Sequence, residues 1–177
     1  MSNLVGPKKK PQDFGFKPGD THVVVNDVTG KAKAFDYDGK HLWTIDVLAQ
    51  GVGGKNWRYR NADTPPGLYK LGTVYKDYES VGPNPPYDRT LMAFGWYSFD
   101  MVGLEGQEGP WSDWNRDGIM WHSGGSALGW PGAWKPRLAF LAYTHGCLRS
   151  HNEDLKEKLL PRYKKGTIFV SVYQDAC

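Results

Sequence analysis

Only one stretch of this chain sets apolar residues at helical spacing, and that restricts the fold class more than any other feature. Between Asn152 and Tyr163, Leu155, Leu159 and Leu160 form an apolar stripe. Asn152 is a good N-cap, Glu153 and Asp154 suit the positive end of the helix dipole, and Pro161 is expected to end or kink the helix. Everywhere else the apolar runs are short and alternating. Val23-Val24-Val25 opens one, and Phe35-Asp36-Tyr37 leads into Asp38-Gly39, a strong hairpin signal. Trp43, Ile45 and Val47 share one face of the run from His41 to Ala49. Further strands are expected over Leu68–Tyr75, Thr90–Met101 and Asp117–Trp121. The last runs from Thr167 to Tyr173, where Ile168, Val170 and Val172 alternate with Phe169, Ser171 and Tyr173. With 22 Gly and 12 Pro, turn formers separate these runs, most densely at Thr64-Pro65-Pro66-Gly67 and Pro83-Asn84-Pro85-Pro86. The chain reads as mainly β with one or two short helices and no internal repeat.

At 177 residues the chain favours one domain, large enough to bury roughly 70% of its unfolded surface. Residues 1–20, with Pro7, Pro11, Pro18 and three glycines, read as an extended arm ahead of a domain spanning 21–177. The net charge of +3 equals the run Lys8-Lys9-Lys10, so the remainder is near neutral. That argues against a nucleic-acid partner, which would call for a clustered basic stripe. No apolar run reaches 18 residues, so no membrane span is expected. The N-terminal sequence has no apolar h-region after its charges, so it does not read as a signal peptide, and the export route stays open. Cys147 and Cys177 do not make a disulfide framework. Cys177, the last residue, reads as a frayed thiol with no role.

The chemistry-bearing segments are Trp121-His122-Ser123-Gly124-Gly125 and Tyr143-Thr144-His145-Gly146-Cys147-Leu148-Arg149. A cysteine attacks as thiolate, and a free thiol's pKa of about 8.5 leaves little thiolate at neutral pH. A histidine within hydrogen-bond reach can take the proton. Gly146 permits a tight turn and a close backbone approach, and amides around such a turn can hold the oxyanion of a tetrahedral intermediate. Arg149, two residues on, offers a fork that can grip a carboxylate. These parts describe acyl transfer through a thioester. The glycine-rich segment Gly51–Asp63 is not a P-loop, since Gly54-Lys55 is followed by Asn56 and the pattern's first glycine falls on Ala49.

At these residues the sequence resembles the L,D-transpeptidase family, the YkuD-like catalytic domain of bacterial cell-wall enzymes. The family signature is an upstream His, a gap, and Ser/Thr-His-Gly-Cys followed by an apolar residue and Arg or Asn. Here it stands as His122, then Thr144-His145-Gly146-Cys147-Leu148-Arg149. The opening strand–hairpin–strand unit over Thr21–Gly51, the Thr64-Pro65-Pro66-Gly67 turn, the helix after the cysteine and the strand beginning Gly166-Thr167 agree as well, so the likeness covers roughly residues 21–173. It implies a β-sandwich of mixed sheets with the cysteine at the mouth of a cleft. It implies attack on the bond before the terminal D-alanine of a peptidoglycan tetrapeptide stem. The thioester would then pass to another stem's amine, a free D-amino acid or water. Residue by residue, Cys147 takes the nucleophile's place and His122 the base's, with the Ser123 carbonyl orienting the imidazole. Gly146 and Cys147 amides take the oxyanion-donor places, while His145 and Arg149 stand near the substrate. Action in the periplasm or cell wall follows, with no cofactor or metal.

One departure concerns specificity: His122 and Cys147 are separated by 25 positions, more than the family's usual gap, and Ala127–Arg137 between them reads as an insertion beside the cleft. The other concerns the route to the wall, since neither a signal peptide nor a wall-anchoring module is recognised. Trp130 and Trp134 within the insertion are the candidate aromatic wall for a stem peptide or sugar, with core packing the alternative. Lys135 and Arg137 suit a diamino-acid carboxylate or a solvated loop equally. His145, Cys147, His151 and His122 could be read as metal ligands, but structural zinc asks for tighter paired spacings. Asp113-Trp114-Asn115-Arg116-Asp117-Gly118 imitates a calcium loop, yet position 12 is Gly124 where Glu is needed. Two rival functions stand beside the house enzyme. One is a toxin delivered into another cell's envelope that trims stems as an L,D-carboxypeptidase, with a delivery or immunity partner. The other is a non-catalytic wall-binding module.

Overall fold

The computed structural model describes residues 4–50, 54, 63–76, 95–105, 119–123 and 146–175. The strands are β1 (Leu4–Val5), β2 (Thr21–Asn26), β3 (Lys31–Phe35), β4 (His41–Asp46), β5 (Gly67–Lys76), β6 (Tyr97–Gly103), β7 (Met120–His122), β8 (Leu148–Arg149) and β9 (Ile168–Asp175). Among the described residues they join one nine-stranded sheet in the order β4-β3-β2-β9-β5-β6-β7-β8, with β1 paired to β9. The pairing is mixed. The β2–β9 and β7–β8 contacts are parallel, and the others are antiparallel.

Local chemistry explains the first meander. Gly39 adopts φ 83°, the left-handed turn conformation that a side chain resists. The Asp36 carboxylate accepts from the Asp38 and Lys40 amides at 2.9 Å each, closing the turn between β3 and β4. Ile45 and Val47 then point inward with Ala32, Ala34, Val23 and Val25 to form the core.

The sheet curls until its two edges meet. Leu48, just beyond edge strand β4, bridges Arg149 of the opposite edge strand β8. The Leu48 N–H donates to the Arg149 carbonyl at 2.8 Å and the Arg149 N–H to the Leu48 carbonyl at 2.9 Å. The two layers of the fold are thus halves of one sheet closed on itself, which satisfies edge groups that would otherwise be left open.

The central strand β9 departs from simple alternation. Ile168 through Val172 are all buried, because β2 and β5 flank it and both its faces are covered. Residues 4–20 are tied to the same strand. Leu4 and Val5 pair with Asp175 and Gln174, and Pro11–Phe14 form a 3-10 turn. The Lys8 and Lys9 amides donate to the Glu105 carboxylate.

The helix runs through three segments, Asn152–Asp154, Leu155–Leu159 and Leu160–Lys165, the middle one wound as a π-helix. Pro161 neither ends nor breaks it. The Leu160 N–H donates five residues back to the Leu155 carbonyl, and this wider turn relieves the clash a proline ring makes with the preceding turn. Asn152 is not the N-cap: His151 is, and it caps with no side-chain hydrogen bond. The stripe of Leu155, Leu159 and Leu160 is buried as expected. Tyr163 stacks edge-on against Phe99 at 5.4 Å and donates its hydroxyl to the Gly72 carbonyl at 2.7 Å, fastening the helix to β5 and β6. Leu159→Ala is expected to lower unfolding free energy by about 2–5 kcal/mol, the range for a fully buried leucine. Urea denaturation reads this directly, and a loss below about 1 kcal/mol would mean the helix contributes little to the core.

Candidate functional site

The last strands of the curled sheet gather the chemistry. In the parallel pair β7–β8, Trp121 lies opposite Leu148 and His122 opposite Arg149. Side chains alternate along a strand, so His122 and Arg149 share one face while Trp121 and Leu148 share the other, and Cys147 immediately precedes β8. Trp121 and Leu148 are fully buried and anchor the pair from beneath. The Trp121 indole N–H donates to the Ser150 hydroxyl at 3.0 Å, which donates in turn to the Asp46 carbonyl at 2.7 Å. The Ser150 N–H also donates to the His122 carbonyl at 2.9 Å.

His122 is buried, and its Nδ1 lies 2.8 Å from the Ser123 carbonyl oxygen. A carbonyl only accepts, so Nδ1 carries the proton and Nε2 keeps its lone pair. Burial, and then the positive charge of Arg149, lowers the His122 pKa to about 3, with the Ser123 hydrogen bond acting in the opposite direction. The ring is therefore a neutral base at physiological pH. Ser123 is itself held: its hydroxyl donates to Asn152 Oδ1, which also accepts the Trp96 N–H at 3.0 Å. Asn152, expected as a helix cap, instead braces the residue that orients the imidazole.

The resemblance puts Arg149 near the substrate; the residue is 1% exposed in the structure. Burial lowers its pKa to about 10, and the nearby Cys147 works against that fall. The guanidinium stays cationic at neutral pH and acts electrostatically on both His122 and Cys147. A cation so placed favours the thiolate over the thiol. Cys147 itself is half-buried, at the margin between this charge and the surface.

The turn before the cysteine is held from a distant segment. Gly146 adopts φ 107°, within the left-handed range that side chains resist. Its carbonyl accepts the Thr64 hydroxyl at 2.6 Å. The contacts of Thr64 and Asn152 with these segments have no signal in the sequence. The Thr64-Pro65-Pro66-Gly67 turn signalled a break, and its first residue gave no sign of reaching a glycine 82 positions away. His151 points elsewhere, with Nε2 3.8 Å from Asp46 Oδ2. His145, Trp130, Trp134, Lys135, Arg137, the 113–118 segment and Cys177 lie outside the described residues.

A closed, mixed β-sheet brings a buried neutral histidine opposite a buried arginine on its last two strands, with a half-buried cysteine just before the second of them. Residues 20–170 match the YkuD family, the L,D-transpeptidase catalytic domain, and the chain belongs to that family. Among solved structures, Bd1075 of Bdellovibrio bacteriovorus superposes with a TM-score of 0.57 at 16% identity, over 94% of this chain and 50% of that one. Pgp2 of Campylobacter jejuni, a helical cell shape determining protein, superposes with a TM-score of 0.53 at 20% identity, over 86% of this chain and 46% of that one. These likenesses are of fold, and the chain spans about half the length of the structures it matches. No curated protein matches the chain. Among the described residues, no helix is long and apolar enough to cross a membrane.

Proposed function

We propose that this protein is a cysteine acyltransferase acting on peptidoglycan tetrapeptide stems in the periplasm or cell wall. The observation that supports the reading is the β7–β8 register: His122, whose Nδ1–H is committed to the Ser123 carbonyl, lies opposite Arg149, two residues after Cys147, and Arg149 acts electrostatically on both. His122 Nε2 takes the thiol proton, and Cys147 Sγ bonds to the carbonyl carbon before the terminal D-alanine. The oxyanion accepts from the Cys147 and Gly146 amides. On collapse the C–N bond breaks, the proton passes from the imidazolium to the leaving amine, and D-alanine departs. A stem amine, a D-amino acid or water then releases the acyl group, giving transpeptidation, exchange or carboxypeptidation. Arg149 supports the first step by stabilising the thiolate. His145, Trp130 and Trp134 are assigned to substrate contact.

Incubation with tetrapeptide muropeptides is expected to release D-alanine, read by mass spectrometry of the soluble products. A folded protein that releases no D-alanine, and forms no acyl adduct on any stem substrate, would overturn the reading.

A further inference from the structure

We propose that Thr64 is a positioning residue for acyl transfer: by holding the Gly146 carbonyl, it turns the Cys147 N–H of the same peptide toward the oxygen of the attacked carbonyl. This rests on the acyltransferase reading above and adds to it a residue from a segment remote from the cysteine motif.

The geometry is that of a planar trans peptide, in which C=O and the following N–H point in opposite directions. The Thr64 hydroxyl donates to the Gly146 carbonyl at 2.6 Å, and Thr64 is completely buried. Fixing that oxygen fixes the Cys147 N–H on the opposite side. Glycine needs such a restraint more than other residues do. With no Cβ, Gly146 can reach its φ of 107° without a side-chain clash, but it can leave that conformation as readily.

Thr64 is well placed to supply the restraint, because it is itself held at both backbone groups. Its N–H donates to the Ala49 carbonyl at 2.8 Å, and its carbonyl accepts from Gln174 Nε2 at 2.9 Å. Gln174 is buried in β9, the central strand. Ala49 adjoins Leu48, whose paired bridge with Arg149 holds the chain just beyond the cysteine. One short segment, 48–49, therefore anchors the reactive turn on both sides: through Thr64 before Cys147 and through Arg149 after it. The neighbouring Tyr69 hydroxyl donates to the Pro65 carbonyl at 2.7 Å and stiffens the same turn.

The test separates oxyanion alignment from general integrity of the site. Opening of a carbapenem lactam by Cys147 passes through an oxyanion: the S–C bond forms, the C–N bond breaks, and the ring nitrogen takes the proton. Alkylation by iodoacetamide displaces iodide at a saturated carbon and forms no oxyanion. In the full chain, Thr64→Val is expected to slow carbapenem acylation by about 10- to 100-fold, short of the 10²–10³ for deleting a donor outright. Iodoacetamide labelling of Cys147 should stay within about twofold of the wild type, and Thr64→Ser should recover most of the acylation rate. Acylation of Thr64→Val at the wild-type rate overturns the role of Thr64 alone. So does an equal loss of acylation and alkylation, which would mark a collapsed site. A wild-type protein that labels with iodoacetamide but never with carbapenem overturns the acyltransferase reading, and this proposal with it. Should Thr64→Val not fold, Gln174→Leu, which removes the bond to the Thr64 carbonyl and keeps the hydroxyl, is expected to slow acylation and spare alkylation; an unchanged acylation rate in that variant overturns the proposal.

Discussion

Cys147→Ala protein is expected to fold and to take up no carbapenem. The wild type should gain the mass of one carbapenem, and Cys177→Ala should keep that adduct, since the thioester is assigned to Cys147. Cys147 follows a glycine turn held by Thr64 and lies within electrostatic reach of a buried cation. A cation so placed favours a thiolate, the form that attacks. Alanine removes the only atom able to form the thioester, so the loss is complete rather than graded, on the order of 10⁴-fold or more. The fold should survive, because a half-buried cysteine fills little core volume. Intact-mass measurement decides the matter. An adduct that persists on Cys147→Ala would place the reactive sulfur elsewhere and end the assignment.

His122→Ala is expected to slow carbapenem acylation by about 10²–10⁴-fold, the usual contribution of a positioned general base. The pH profile carries a second signature. Because the His122 pKa is lowered to about 3, the ring stays neutral well below the usual imidazole range. The wild-type acylation rate should therefore show no acid limb near pH 6.5. Stability is linked with the opposite condition in the unfolded chain. There His122 takes a proton at about 6.5, while in the folded protein it does not until about 3. Its contribution is thus fully present above pH 6.5 and is lost as pH falls toward 3. His122→Asn should flatten that part of the stability curve, measured by urea denaturation between pH 4 and pH 7. An unaltered slope, or an acid limb in activity near pH 6.5, would mean the ring titrates as an ordinary exposed histidine.

Local signals carried most of the strand assignments. The Asp38-Gly39 turn, the inward face of Ile45 and Val47 and the opening of β5 at Gly67 all follow from turn chemistry and period-two alternation, which depend on near neighbours. Two helix signals have outcomes that near neighbours do not determine. Asn152 looked like a cap, yet its amide oxygen serves Ser123 and Trp96, partners 29 and 56 residues away. Pro161 signals an end or a kink of the helix; the helix continues past it, with a π-turn just before it. At Arg149 the motif pointed to a cation near the cysteine, whereas exposure to substrate or burial beneath the site depends on how the sheet closes.

The amino-acid order by itself determined the strand-rich class, the leucine stripe of the helix and the family resemblance carried by His122 and the Cys147 motif. Each of these is written in a residue type and its close neighbours. The tertiary structure alone decided that Leu48 meets Arg149, that Thr64 reaches Gly146, and that His122 is neutral. Those outcomes depend on desolvation and on hydrogen bonds between segments as much as 101 residues apart, and neither distance nor burial exists until the sheet has closed.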